Sequence, residues 1–218
     1  MRPQYDAVLF DLLSALLDSW SLWEDVAGGK TAGQRWRLAY LRRTYTTGAY
    51  RSYLTLVADA AVEAGLGRCL ADNLAARYRE LRAWSGVPEA LAPLVAAGLP
   101  LGVATNCSEA LGRLAATRVN VPFAVVVSAE RAGFYKPDPH PYRLALTELG
   151  VSAERCLFVA GSAYDLLGAS RVGLPIWWHN RIGMAQPTNA PLPLRHSERL
   201  EGFAEFVLNT RGDHDQQP

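Results

Sequence analysis

The stretch Ala7-Val8-Leu9-Phe10-Asp11-Leu12-Leu13-Ser14-Ala15 decides the fold. Four consecutive apolar residues have the length and continuity of a strand covered on both faces, the kind that builds parallel sheets. Open parallel sheets bind their ligands beyond the C-terminal ends of their strands. Asp11 stands at that end.

Four more apolar runs, at 101–104, 124–127, 157–160 and 175–178, read as further strands. Helical patterns alternate with them near 89–97, 108–117, Pro139–Leu149, 164–172 and 198–208. This alternation predicts an α/β fold, a Rossmann-like parallel sheet core with helices on both faces. Residues 18–87 break the pattern. They are rich in helix formers and Arg, place Leu38, Leu41 and Tyr45 at helical spacing, and contain Trp20, Trp23, Trp36 and Trp84. An all-helical cap inserted over the strand ends is expected there, so the core comprises 1–17 and 88–218 and the cap 18–87. The Pro-spaced stretch 187–193 reads as loop and 211–218 as a tail.

Composition narrows the function. The chain has 218 residues, half of them hydrophobic, so it can bury a substantial core. Its 22 basic and 21 acidic residues leave a net charge of +1, which gives no support for a nucleic-acid or membrane partner. No apolar stretch has the length of a membrane span, and the N-terminus lacks a basic-then-apolar signal pattern. Cys69, Cys107 and Cys156 are odd in number and widely spaced, without metal-ligand or redox pairing, so a cytoplasmic setting is expected. None of the four His has ligand spacing; only His179 lies near a strand end.

Four stations carry chemistry. Asp11 ends the first strand, and Thr105-Asn106 closes the second. Lys136 sits in Tyr135-Lys136-Pro137-Asp138-Pro139, and Gly161-Ser162-Ala163-Tyr164-Asp165 follows the run 157–160. In this order the stations resemble the motifs of the haloacid dehalogenase (HAD) superfamily. Phosphatases of that superfamily carry a second Asp two residues after the nucleophile. Leu13 stands at that position here, which shifts the expectation from phosphate chemistry to attack on carbon.

The resemblance is closest to the 2-haloacid dehalogenases and covers nearly the whole chain. Phe158-Val159-Ala160-Gly161-Ser162-Ala163-Tyr164-Asp165, with Gly168-Ala169, Gly173-Leu174-Pro175 and Trp178-His179-Asn180-Arg181, is similar to that family's last motif. Tyr142 matches a pocket tyrosine, and Trp36-Arg37 resembles a cap pair whose Arg receives the departing halide and steers the carboxylate. The resemblance implies Asp11, Lys136 and Asp165 as catalytic residues. Thr105, Asn106, Arg37, Tyr142, Ser14, Ser162 and Leu13 would surround the substrate. It implies an aspartyl ester, a small carboxylate substrate, no metal and no cofactor. Magnesium belongs only to a phosphatase alternative, beside which stand ring opening of a cyclic imino acid and a non-catalytic binding role. Pairing through the cap into a homodimer is a further expectation. The chain departs from the family at Ser14-Ala15, where the family has Gly-Thr, and at Ala160 and Ser162, where it has Ser and Asn.

The roles have a physical basis. A carboxylate is a weak nucleophile in water and a useful one when desolvated and aligned. Lys136 would hold Asp11 ionised, Asp165 would orient Lys136 or polarise a water, and the Thr105 hydroxyl would receive a substrate carboxylate. Other uses of these side chains are open: Asp165 also suits a helix N-cap, the cap Trp residues suit a core, and Arg35, Arg42, Arg43 and Arg51 compete with Arg37 for the site.

Overall fold

In the computed structural model, which describes residues 3–209, the apolar runs pair into one six-stranded, all-parallel sheet. Its strands are β1 (Ala7–Phe10), β2 (Leu101–Thr105), β3 (Val125–Ser128), β4 (Cys156–Ala160), β5 (Ile176–His179) and β6 (Arg195–Ser197), in the spatial order β3-β2-β1-β4-β5-β6. The chain runs outward from β1 to β3, then returns to β4 on the other side of β1. That reversal opens a crevice beyond the ends of β1 and β4, the place where such sheets hold ligands.

Period-2 alternation sorts the side chains of β1 to opposite faces. Val8 and Phe10 join one buried cluster with Val103, Val159 and Phe203, while Ala7 and Leu9 join the other with Val127, Phe158 and Tyr142. Helices α5 (Val87–Ala96) and α10 (Phe203–Leu208) cover the first face and pack on each other. Helix α8 (Pro139–Leu149) and helix α9 (Asp165–Arg171) cover the second. Between α5 and α8 in sequence lie α6 (Glu109–Thr117) and the single turn α7 (Ala129–Ala132). Asp138 caps α8 by accepting from the His140 N–H at 3.0 Å, with Pro139 at the first helical position. This cap fixes where the preceding Lys136 leaves the loop.

Two expectations are corrected here. The strand β6 is absent from the sequence reading because Arg195-His196-Ser197 is polar; it is a short, exposed edge held by backbone pairing to β5, with His196 stacked on Trp178 and Ser197 Oγ accepting from Trp177 Nε1 at 3.0 Å. The helix expected over 198–208 begins only at Phe203, after Gly202. The stretch 211–218, read as a tail, lies outside the described residues.

The insertion holds α1 (Ser19–Val26), α2 (Lys30–Thr47), α3 (Tyr53–Glu63), α4 (Leu70–Ala76) and a single 3-10 turn, Tyr78–Glu80. Asp18 caps α1 through the Ser21 N–H. Helices α1 and α2 pack so closely at Gly33 that a Cβ there would lie 2.4 Å from the Glu24 Cα. Trp23, Trp36, Tyr40, Tyr53 and Leu74 fill the centre of the insertion, with the Trp36 indole donating to the Val57 carbonyl at 2.9 Å. The two chain crossings into the core are tied together. Leu17 bridges Ala83, the Asp18 N–H donates to the Arg82 carbonyl at 2.8 Å, and the Trp84 N–H donates to the Leu16 carbonyl at 3.0 Å. No helix among the described residues is long and apolar enough to cross a membrane.

Candidate active site

Strand β1 delivers Asp11 to the crevice with its carboxylate buried. Oδ2 accepts the backbone N–H of Ser14 at 2.9 Å and of Ala15 at 3.2 Å, because the chain turns back over the carboxylate directly after the strand. Oδ1 accepts from Lys136 Nζ at 2.8 Å, and the same ammonium lies 2.9 Å from Asp165 Oδ1. Lys136 is thus a buried bridge between two carboxylates. Asn106 holds its backbone from both sides: the Lys136 N–H donates to Asn106 Oδ1 at 2.7 Å, and Asn106 Nδ2 donates to the Lys136 carbonyl at 2.9 Å. Tyr142 donates its hydroxyl to Asp165 Oδ1 at 3.2 Å.

Two glycines allow this convergence. A Cβ on Gly161 would lie 2.1 Å from the Ala15 backbone N, so only glycine lets the fourth station press against the Asp11 loop. A Cβ on Gly168 would lie 2.6 Å from the Tyr142 hydroxyl and 2.8 Å from the Pro137 Cα.

The electrostatics separate the two acids. Burial alone would raise Asp11, but the charge and hydrogen bond of Lys136 and the two N–H groups outweigh it and hold Asp11 below its ordinary value. Asp165 is pushed up to about 6 by burial and by the nearby charge of Asp11, against the pull of Lys136 and Tyr142. Burial opposes the charge on Lys136, yet its two carboxylates raise it above the ordinary value and keep it cationic.

Above this triad lies a cavity of about 30 Å³. The core contributes Asp11, Leu13, Ser14, Asn106, Lys136, Ser162, Tyr164 and Asp165 to its walls. Helix α2 contributes Arg37, Tyr40, Leu41, Thr44 and Tyr45, spaced i, i+3, i+4, i+7, i+8, which is one face of a helix. Arg42 and Arg43 lie on another face and pair with Glu63 at 2.9 and 2.8 Å. Arg37 is buried, with its guanidinium carbon 4.9 Å from the Trp20 ring centre and 5.2 Å from that of Trp23. Its NH2 group reaches Ser14 Oγ at 3.4 Å, while Nε and NH1 are buried without a hydrogen-bond partner. Burial lowers the Arg37 pKa, opposed by nearby tyrosines and Asp11.

Of the residues singled out from sequence, Asp11, Lys136, Asp165, Asn106, Arg37, Ser14, Ser162 and Leu13 converge on the cavity. Thr105 does not. Its hydroxyl lies 3.7 Å from Cys107 Sγ and its methyl faces Gly112 of α6, because the strand still alternates at Thr105 and the chain turns into the crevice only at Asn106. Tyr142 acts from behind, through Asp165, and does not line the cavity. Trp20 and Trp23 flank Arg37 and are not cavity walls. The sequence reading missed Tyr40, Thr44 and Tyr164; the helical stripe through Arg37 was the signal for the first two.

The sequence model for haloacid dehalogenase-like hydrolases matches residues 5–173. An (S)-2-haloacid dehalogenase of Pseudomonas putida is 32% identical, over 93% of this chain and 96% of its own. A phosphoglycolate phosphatase of Xanthomonas campestris pv. campestris is 31% identical, over 83% of this chain and 87% of its own. A crystal structure of an L-2-haloacid dehalogenase superposes with a TM-score of 0.80 at 26% identity, covering 92% of this chain and 97% of the other.

Proposed function

Because the chain belongs to the haloacid dehalogenase-like hydrolases, we propose that it hydrolyses a carbon–leaving-group bond in a small carboxylate, with Asp11 as nucleophile. One observation carries this reading. An ionised carboxylate faces a small cavity beside a hydrocarbon side chain, Leu13, with buried, unpartnered guanidinium N–H groups belonging to the opposite wall.

In the first step an Asp11 oxygen attacks the substituted carbon of a 2-halocarboxylate. A C–O bond forms, the C–X bond breaks, and X⁻ leaves with its electron pair. Arg37 is the donor that receives this anion in a water-excluded setting, where an aimed donor has its largest effect. In the second step water adds to the ester carbonyl of Asp11 and the ester C–O bond breaks. The products are a 2-hydroxy acid, one proton and the regenerated carboxylate. Asp165, poised near about 6, is ionised at neutral pH and takes the proton from that water. Lys136 stabilises Asp11 before attack and after release. The reaction needs no metal or other cofactor; the ammonium of Lys136 supplies the positive charge beside the nucleophile.

A volume of 30 Å³ holds about one or two waters. The small cavity favours a short-chain acid, since a longer one would need more displacement of the cap. The phosphatase reading draws on the phosphoglycolate phosphatase likeness. It places no acid/base at Leu13, a role that contributes about 10²–10⁴-fold in enzymes that have it.

The test is a single turnover in oxygen-18 water, followed by mass spectrometry of the protein. Label in the Asp11 carboxylate is expected. Label confined to the product would mean direct attack by water and would defeat the ester mechanism. Magnesium-dependent release of phosphate from an aryl phosphate, with 2-chloropropionate untouched, would favour the phosphatase.

A further inference from the structure

Three consecutive carbonyls after Asp11 each accept a side-chain donor from a different part of the chain. Ser19 Oγ donates to the Leu13 carbonyl, Trp84 Nε1 to the Ser14 carbonyl at 2.9 Å, and His179 Nδ1 to the Ala15 carbonyl at 2.7 Å. The first two have a particular consequence. The carbonyl of one residue and the N–H of the next belong to a single conjugated peptide unit. The Leu13 carbonyl shares its unit with the Ser14 N–H, and the Ser14 carbonyl with the Ala15 N–H. Those are the two N–H groups that grip Asp11 Oδ2. A donor on the carbonyl polarises the unit and strengthens the N–H as a donor, so the bonds run as two relays, Ser19 to Asp11 and Trp84 to Asp11.

We infer that Ser19 and Trp84 are positioning residues for Asp11, acting through the peptide units Leu13–Ser14 and Ser14–Ala15; this rests on the reading of Asp11 as the nucleophile. The placement of the two donors strengthens the case. Ser19 opens the insertion and Trp84 follows its last turn, on either side of the tie between Leu17 and Ala83. Each crossing into the cap therefore ends in one donor to the Asp11 loop, and the seating of the cap sets how tightly the carboxylate is held. Ala15 brings no hydroxyl to Asp11, so its backbone N–H is that residue's contribution, and Trp84 is what sharpens it. His179 fixes the following unit. Its ring is buried, with Arg181 and Glu201 as its charged neighbours, and burial lowers its pKa to about 4; because Nδ1 faces a carbonyl, it is the donor to Ala15.

The test uses the full chain and two variants. Trp84→Phe keeps an aromatic ring beside Arg181, whose guanidinium carbon lies 5.0 Å from the Trp84 ring, and removes the N–H together with the pyrrole half of the indole. Ser19→Ala removes the other donor, and Ser19→Thr restores a hydroxyl. The readouts are kcat and KM on 2-chloropropionate and the backbone ¹H–¹⁵N resonances of Ser14 and Ala15. Each loss should lower kcat about five- to tenfold, the worth of one buried hydrogen bond, with KM nearly unchanged. The Ala15 resonance should move upfield in Trp84→Phe and that of Ser14 in Ser19→Ala, with recovery of both readouts in Ser19→Thr. Wild-type kcat in both variants overturns the inference. So does a fall in kcat with both resonances unmoved, which would make these side chains mere packing. Turnover by Asp11→Asn would instead remove the nucleophile reading, with the amide shifts still present, so the two failures read differently.

Discussion

Tyr45 of the cap and Tyr164 of the core meet with ring centres 5.2 Å apart and planes tilted by 54°. Both line the cavity and both are only half-buried, unlike the acids and Lys136 behind them. The pair closes the outer end of the site across the boundary between cap and core. Tyr45→Ala should enlarge that end and favour longer 2-halocarboxylates over shorter ones. An apolar pocket discriminates by about tenfold or more per methylene, so the ratio of kcat/KM between 2-chlorobutyrate and 2-chloropropionate should rise by about that factor. An unchanged ratio would place the size limit elsewhere.

Arg37 and its neighbours Arg42 and Arg43 should separate cleanly in kinetics. Losing one donor to a developing anion in a dry site costs about 2.7–4 kcal/mol. Arg37→Ala should therefore slow the attack step about a hundredfold or more, and Arg37→Lys should recover only part, because the planar fork is lost. Arg42→Ala and Arg43→Ala break surface pairs with Glu63, worth at most about 1 kcal/mol, and should leave turnover alone. Rapid-quench measurement of ester formation decides the matter. Sensitivity at Arg42 in place of Arg37 would mean that another face of α2 meets the substrate.

The bridge made by Lys136 predicts a stability effect larger than that of any surface pair. Lys136→Met leaves two buried carboxylates facing each other, and removing one member of a buried ionic cluster costs about 3–5 kcal/mol. Asp11→Asn added to Lys136→Met should return part of that loss by removing one of the two charges. Urea unfolding at neutral pH checks both. Equal stability of the single and double variants would show that the carboxylates are solvated once the lysine is gone.

Asp165 sets a pH dependence whose sign differs between activity and stability. With Asp165 at about 6 against an ordinary 3.8, deacylation should rise with pH through about 6 as the base ionises. Between those two values the folded protein binds the more protons, so the stability due to Asp165 declines as pH rises through that window. The Tyr142 hydroxyl favours the ionised form. Tyr142→Phe should then move the acid limb of kcat to higher pH while leaving the ester-forming burst in place. A limb that stays where it was would mean that a different group limits deacylation.

The parts of the fold legible in sequence were those with a hydrophobic signature. Strands β1 to β5 are apolar runs because both faces of the sheet are covered, and the stripe on α2 that meets the core, Arg37, Tyr40, Leu41, Thr44 and Tyr45, recurs at helical spacing. Strand β6 carries no such mark, since Arg195-His196-Ser197 is polar and lies at an open edge. In the site, the acids and Lys136 were readable because each sits at a strand end or before a helix. Thr105 was misread for the same reason: one residue more or less at a strand end turns a side chain to the other face. The donors Ser19 and Trp84 act on backbone carbonyls, and no spacing rule in the sequence brings residues 13, 14, 19 and 84 together.

The tie between Leu17 and Ala83 makes the cap a cassette. Another helical block between its two threads would bring another stripe and another mouth, and would have to rebuild the contacts the middle of the cap makes with the core, where Ala49 bridges Phe134 and the Tyr50 N–H donates to the Gly133 carbonyl at 2.7 Å. The splice points are not free, however. A graft that begins after Ser19 and ends before Trp84 carries over both donors to the Asp11 loop; one cut at Asp18 and Ser85 brings in a new specificity and slackens the nucleophile in the same stroke. Selection for new substrates in such a chain would work outward from the middle of the cassette, leaving its two ends for last.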